Sequence, residues 1–199
     1  MAQQEPDNGR RCVLVAATTV AGGVAAGAAG VPFVASMLPS ERAKAAGAPV
    51  EADISKLAPG ERMTVEWRGK PVWIVRRTPE MLETVKKGGD KVADPDSKKV
   101  MQPAYAKNEL RSIKPEYLVL VGICTHLGCS PVEKFAAQAE AFASDWKGGF
   151  YCPCHGSLFD LAGRVYKNKP APDNLIVPPH KFLADGLILI GEDANEKGA

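Results

Sequence analysis

Hydrophobic and polar positions divide the chain into two regimes. From Cys12 to Ser40 no charged residue occurs, and the run CVLVAATTVAGGVAAGAAGVPFVASMLPS fills 29 positions. At about 1.5 Å per residue, some 20 helical residues cross a hydrocarbon core about 30 Å thick, so this run predicts one transmembrane helix over 12–39. It is only mildly apolar, because Ala, Gly and Thr fill about half of it, and Pro32 stands near its end, where lipid tolerates a kink. Gly23 and Gly27, with Ala26 and Gly30 nearby, form a small-residue face that would let a second helix approach, although the same residues could simply lower hydrophobicity. SERAKAAGAPV, residues 40–50, then reads as a flexible tether.

Beyond residue 50 the pattern becomes strand-like. MTVEW and KPVWIVRR flank Arg68-Gly69 and predict a hairpin on a two-residue turn. TPEMLETVKKG predicts a short helix capped by Thr78, with Pro79 in its first turn and Gly88 as its stop. YLVLVGI, 117–123, is a continuous apolar strand. A short helix is expected at 133–143, after which Gly148-Gly149 turns the chain into Phe150-Tyr151. LFDLAGRVY, NLIVPP and KFLADGLILIGE follow as short extended segments, the last a hairpin around Asp185-Gly186, and DANEKGA is expected to fray. Short strands punctuated by Gly and Pro indicate a small antiparallel β domain over 51–199.

A chain of 199 residues, 45% hydrophobic and 24% charged, holds one well-cored domain plus appendages rather than two full domains. The net charge of +2 is nearly neutral, and no basic cluster with interleaved aromatics occurs, which sets nucleic acid aside as a partner. Arg10 and Arg11 stand just before the apolar run. A paired arginine ahead of a weakly hydrophobic segment resembles the twin-arginine export signal of bacterial proteins exported already folded. Arg42 and Lys44 beyond the run balance them, so orientation rests on that signal: residues 1–11 cytoplasmic, the β domain on the periplasmic side. AKAAGA offers small residues to a signal peptidase, but retention of the span is expected.

Of five cysteines, Cys12 is an outlier at the membrane boundary, and the other four fall in CTHLGC, 124–129, and CPCHGS, 152–157. Each loop offers a cysteine and a histidine close together: Cys124 with His126, Cys152 with His155. Two thiolates and two imidazoles suit tetrahedral Zn²⁺, which leaves Cys129 and Cys154, one per loop, unexplained.

The paired loops resemble the signature of the Rieske iron–sulfur proteins, in the branch found in cytochrome bc complexes. The plan of twin arginine, one span, tether and small β domain is similar too, and GRVYKNKPAPDNL is similar to that family's proline loop over the cluster. The resemblance implies an all-β Rieske-type domain of small antiparallel sheets, with a cluster-binding subdomain at about 117–180, tethered to one N-terminal transmembrane helix. It implies one [2Fe-2S] cluster per subunit, one iron held by Cys124 and Cys152 and the other by His126 and His155, with Cys129 and Cys154 as a disulfide. Two ferric ions and two sulfides sum to +2; four thiolates would bring the oxidised centre to −2, whereas two leave it neutral and easier to reduce.

An exposed ligand histidine, matched by His155, would hydrogen-bond ubiquinol and take a proton with the electron, with His126 as its companion. Ser157 matches a serine that donates to a bridging sulfide, and Phe159 stands where many relatives have a tyrosine whose hydroxyl reaches the Cys124-type sulfur. The implied partners are a cytochrome b subunit, a c-type cytochrome subunit, ubiquinol and the bacterial inner membrane, in a dimeric complex with quinol–cytochrome c oxidoreductase (translocase) activity. Alternatives are a Rieske subunit of another exported oxidoreductase, such as an arsenite-oxidase-like enzyme, or a zinc-stapled binding module. A soluble ring-oxygenase ferredoxin fits less well, lacking the Cys129/Cys154 pair and the span. His180, Cys12 and the tryptophans Trp67, Trp73 and Trp146 read as structural or packing residues.

Overall fold

The apolar run forms α1, Asn8–Ala35, in a computed structural model that describes residues 8–193. The chain divides into a unit ending at Ala45 and one beginning at Ala46. α1 starts four residues before Cys12, taking in Arg10 and Arg11, and ends at Ala35 rather than at 39. None of its side chains is buried, and by length and composition it can cross a membrane. Thr18 and Thr19 donate their hydroxyls back to the Leu14 and Val15 carbonyls, so the helix needs no outside partner for them.

The expected tether is partly helical: α2 spans Glu41–Ala46, and Val50 already belongs to a strand. Ser40 Oγ caps it by accepting the Ala43 N–H at 3.2 Å, and Lys44 pairs with Glu41 at 2.7 Å. Ala, Glu, Arg and Lys are strong helix formers, so ERAKAA follows local propensity.

Among the described residues the second unit contains three three-stranded antiparallel sheets. One has the order β1 (Val50–Asp53), β9 (Leu187–Ile190), β8 (His180–Ala184). Another runs β2 (Arg62–Trp67), β3 (Lys70–Arg76), β4 (Tyr117–Val121), and the third β5 (Val132–Lys134), β6 (Gly149–Cys152), β7 (Ser157–Phe159). The expected hairpins are present at β2–β3 and β8–β9. In the first, Arg68 and Gly69 both have left-handed φ, 52° and 69°, which matches the right-handed twist of the flanking strands. α3, Pro79–Lys87, begins at the Thr78 cap and stops at Gly88 as expected.

The central sheet is covered on both faces, which explains the unbroken apolar runs of β3 and β4. Successive side chains of a strand point to opposite faces. Val72, Ile74, Tyr117 and Val119 pack with Ala52, Ile188 and Ile190 of the first sheet. Trp73, Val75, Leu118 and Leu120 pack with Phe150, Phe159, Cys124 and Cys152. Trp73 stacks on Phe150 at 5.2 Å between ring centroids, joining the central sheet to the third.

The helix expected at 133–143 is absent; its start is β5, paired with β6, and the rest is irregular. Long-range ring contacts override the local propensity. Phe135 meets Phe150 edge-on, Phe142 stacks on Tyr151 at 4.1 Å, and Trp146 Nε1 donates to the Lys134 carbonyl. LFDLAGRVY breaks after β7 into a turn at Asp160–Gly163, and NLIVPP runs extended outside the sheets, held by Val121 N–H to Ile176 O and Val177 N–H to Met101 O. Of the expected frayed tail, 194–199 lie outside the described residues. Trp73→Ala is expected to cost about 3–5 kcal/mol of stability, read from denaturant midpoints. A loss below about 1 kcal/mol would show that the two sheets do not share a core through this ring.

Candidate metal centre

The site lies between two loops delivered by buried strands. β4 leads directly into Cys124–Cys129, and Cys152–Ser157 is the tight turn between β6 and β7, with Cys152 paired to Ser157 in the ladder. Each loop is closed by its own backbone: Cys124 N–H donates to Cys129 O at 2.7 Å, and Gly156 N–H to Cys152 O at 3.0 Å. A disulfide between Cys129 and Cys154 joins the loops.

That bond divides the sulfurs by role. The Cys129, Cys152 and Cys154 sulfurs all lie within 4.8 Å of one another, but two of them are bonded together, so this group offers a metal one thiolate. Cys124 and Cys152 are free and buried at 2% exposure each, and both belong to one packed core cluster. Burial pushes the Cys124 thiol up; the His126 backbone N–H pulls it down, the adjoining Cys152 pushes it up again, and the Ser157 hydroxyl pulls it down. Two adjacent buried thiolates repel one another unless a cationic centre lies between them. His126 is half-buried and His155 exposed, and their rings meet edge-on with centroids 4.8 Å apart. The donor set is thus graded, with soft sulfurs inside and imidazoles at the rim, and it suits a mixed thiolate–imidazole iron–sulfur centre.

The segment from Tyr166 to Leu175 covers the site and is pinned to both loops. Thr125 Oγ1 donates to the Asp173 carbonyl at 2.6 Å, and the Ala171 N–H donates to Ser157 Oγ at 3.0 Å. Asn174 Oδ1 accepts the Val165 N–H at 2.9 Å, which closes the base of the cover. Sequence reasoning placed Ser157 here but missed Thr125, Asn174 and the buried pair Asp160–Arg164, whose atoms meet at 2.7 Å. For Asp160 and Arg164 the available signal was their spacing of four within an otherwise apolar stretch; for Thr125 and Asn174 there was none beyond their place in the loops.

Phe159 is fully buried among the same core residues as Cys124 and Cys152. His180 lies at the start of β8, buried, its Nδ1 2.8 Å from the Pro178 carbonyl and its backbone N–H donating to Tyr105 Oη. Trp67, Trp73 and Trp146 are packing residues, all buried. Cys12 is exposed on α1.

Comparison with known proteins agrees with this geometry. The Rieske [2Fe-2S] domain model matches residues 48–179, and the ubiquinol–cytochrome c reductase Fe-S subunit TAT signal model matches residues 1–40. The chain belongs to the Rieske [2Fe-2S] family. Within it, the ubiquinol–cytochrome c reductase iron-sulfur subunit of Allochromatium vinosum is 62% identical over 193 residues, covering 97% of this chain and 93% of the relative. That of Bradyrhizobium diazoefficiens is 40% identical over 182 residues, covering 92% of this chain and 94% of the relative. A chain of a solved hyperthermophilic respiratory Complex III is 29% identical, with a TM-score of 0.45, covering 89% of this chain and 98% of that one. The two family models and the two bacterial relatives place the chain in the branch of iron–sulfur subunits of ubiquinol–cytochrome c reductase, with a [2Fe-2S] cluster as its cofactor.

Cys129 and Cys154 close a loop with a sequence separation of 25, for which chain entropy gives about 3–4 kcal/mol of stabilisation. The double variant Cys129→Ser/Cys154→Ser is expected to unfold at correspondingly lower denaturant and to bleach its visible iron–sulfur absorbance faster. Unchanged bleaching would show that the loops are held together without the bond.

Proposed function

We propose that the chain is the electron-transfer subunit that takes electrons from ubiquinol within a cytochrome bc complex and passes them to a c-type cytochrome subunit. The observation that carries this reading is the exposed His155 ring lying edge-on to half-buried His126, on the two loops that also carry two buried thiols. Cys124 and Cys152 would hold one iron and His126 and His155 the other. When bound, the cluster supplies a one-electron acceptor whose potential is raised because two neutral imidazoles replace two thiolates.

The residues of this chain supply the rest. His155 is the exposed ring, and its nitrogen not spent on iron would carry an N–H that is acidified while the iron is ferric; once that proton has left, the nitrogen accepts a hydrogen bond from the quinol hydroxyl and takes the proton that accompanies the electron. His126, deeper, shares this rim. Ser157, whose Oγ accepts the Ala171 N–H, would donate its own proton toward the cluster, and withdrawing charge there eases reduction. Phe159 brings no hydroxyl to the same pocket, so one such bond is missing. The cytochrome b subunit would provide the quinol-oxidation site. α1, which lies within the segment matched by the TAT signal model, would be retained as a single-pass anchor in the bacterial inner membrane, with the cluster domain on the periplasmic side of a dimeric complex.

Electron paramagnetic resonance of the reduced protein is expected to show the low-g signal of a mixed-ligand [2Fe-2S] centre, lost in His155→Ala; a spectrum without that signal in the unaltered protein refutes the ligand assignment. Phe159→Tyr is expected to raise the midpoint potential in a redox titration, because the added hydroxyl donates toward the Cys124 sulfur; an unmoved potential would sink that account.

A further inference from the structure

Cys129 and Cys154 are bonded to each other, and the sulfurs of Cys12, Cys124 and Cys152 are free. The Cys152 sulfur lies within 4.8 Å of both bonded sulfurs, so a thiol stands beside the bond that joins the two loops. The three sulfurs differ in burial. Cys152 is 2% exposed, Cys129 is half-buried against the same core cluster, and Cys154 is exposed. The backbone around them is held in place. Cys152 is paired with Ser157 in the β6–β7 ladder and its carbonyl accepts the Gly156 N–H at 3.0 Å, while the Cys129 carbonyl accepts the Cys124 N–H at 2.7 Å. A thiol that cannot drift away from a neighbouring disulfide is the arrangement from which disulfides isomerise.

The order of burial selects the sulfur attacked. Displacement at sulfur wants the incoming and leaving atoms on opposite sides of the atom between them. Cys152 is on the core side, Cys129 at the boundary and Cys154 at the surface, so attack falls on Cys129 and Cys154 leaves toward water. Attack on Cys154 would instead close a ring between residues only two apart, which disulfide geometry accommodates only with strain. In the step, a bond forms between the Cys152 and Cys129 sulfurs as the Cys129–Cys154 bond breaks. The electron pair of the broken bond leaves with the Cys154 sulfur, which takes the proton that Cys152 gives up. One disulfide stands before and after, so neither oxidant nor reductant is consumed.

We propose that Cys152 is a thiol–disulfide exchange nucleophile held in check by the cluster: when its sulfur carries no iron it takes Cys129 from Cys154, and ligation preserves the Cys129–Cys154 bond. This rests on the proposed ligation of iron by Cys152. The rearranged chain has spent a ligand sulfur in a disulfide, so it takes up a cluster again only after a thiol reductant reopens that bond. Cluster loading must therefore precede or accompany closure of the bond between the loops.

The test maps cysteine pairing by mass spectrometry of the purified complex, kept without oxygen, before and after an iron chelator removes the cluster. Samples are quenched in acid, which arrests exchange, and then unfolded and alkylated. The loaded complex is expected to show Cys12, Cys124 and Cys152 alkylated and Cys129 joined to Cys154. After the chelator, Cys154 is expected to become alkylated, Cys152 to lose its label and a Cys129–Cys152 peptide to appear, with Cys12 unchanged. Two variants, mapped in membranes so that assembly of the complex is not required, separate exchange from loss of the cluster. Cys152→Ser is expected to keep the Cys129–Cys154 bond, whereas Cys124→Ser, equally short of a ligand, is expected to release Cys154. Persistence of Cys129–Cys154 alone in the chelated wild type, or release of Cys129 in place of Cys154, overturns the proposal. So does entry of Cys12 into the bond, which marks exchange from an unfolded chain. Release of Cys154 already in the loaded complex fails instead the ligand assignment at Cys152.

Discussion

In the second unit two thiols are buried while two histidines of the same loops stay half-buried or exposed, and on the proposed ligation the architecture follows from that arrangement. A buried thiolate is tolerable only against a positive centre, and a histidine that is to meet a substrate must not be covered. Placing Cys124 just after a strand buried on every side chain and Cys152 at the end of β6 fixes the sulfurs at the core boundary. Two residues beyond Cys124 and three beyond Cys152, the short loops bring their histidines out to the rim. The Cys129–Cys154 bond keeps the two loops from separating where no sheet joins them.

The same requirement accounts for the buried charges. A cover and a turn without secondary structure leave backbone carbonyls in the interior, and each must find a donor. Arg77 takes the carbonyls of Leu110, Pro115 and Leu161, and Arg164 those of Val85 and Pro95 while bonded to Asp160. Burial lowers the Arg77 pKa to about 9 and the Arg111 pKa to about 10, in each case partly offset by Asp160. Both groups therefore stay charged at neutral pH. Guanidinium groups suit this task because a planar fork reaches several carbonyls at once, which an ammonium group cannot do in fixed directions.

What was legible in the sequence was local. CTHLGC and CPCHGS carry their chemistry in spacing, and the turns at Arg68-Gly69 and Asp185-Gly186 carry theirs in the residues themselves. What was not legible depends on partners far along the chain. Residues 133–143 have adequate helical propensity, but Phe135 and Phe142 find rings at Phe150 and Tyr151, and those contacts outweigh a short helix. The tether failed the other way, for a stretch of Ala, Glu, Arg and Lys with a serine cap folds locally whatever surrounds it. Thr125 sits inside the most conspicuous motif in the chain, yet its bond to the cover is visible only once Asp173 is beside it.

The gradient of exposure at the site also constrains how electrons would pass. On the proposed reading, His155 is the donor atom set nearest solvent, with Cys124 and Cys152 behind core residues that include Trp73, Phe150 and Phe159. An electron that enters at that rim has a poor route out through the sheets, so it must leave by the rim as well. Quinol and c-type cytochrome would then need the same small surface, and they cannot occupy it together. Successive rather than simultaneous contact is therefore a consequence of burying the sulfurs. The rigid cover and disulfide, by keeping the rim unchanged between the two encounters, would let one geometry serve both.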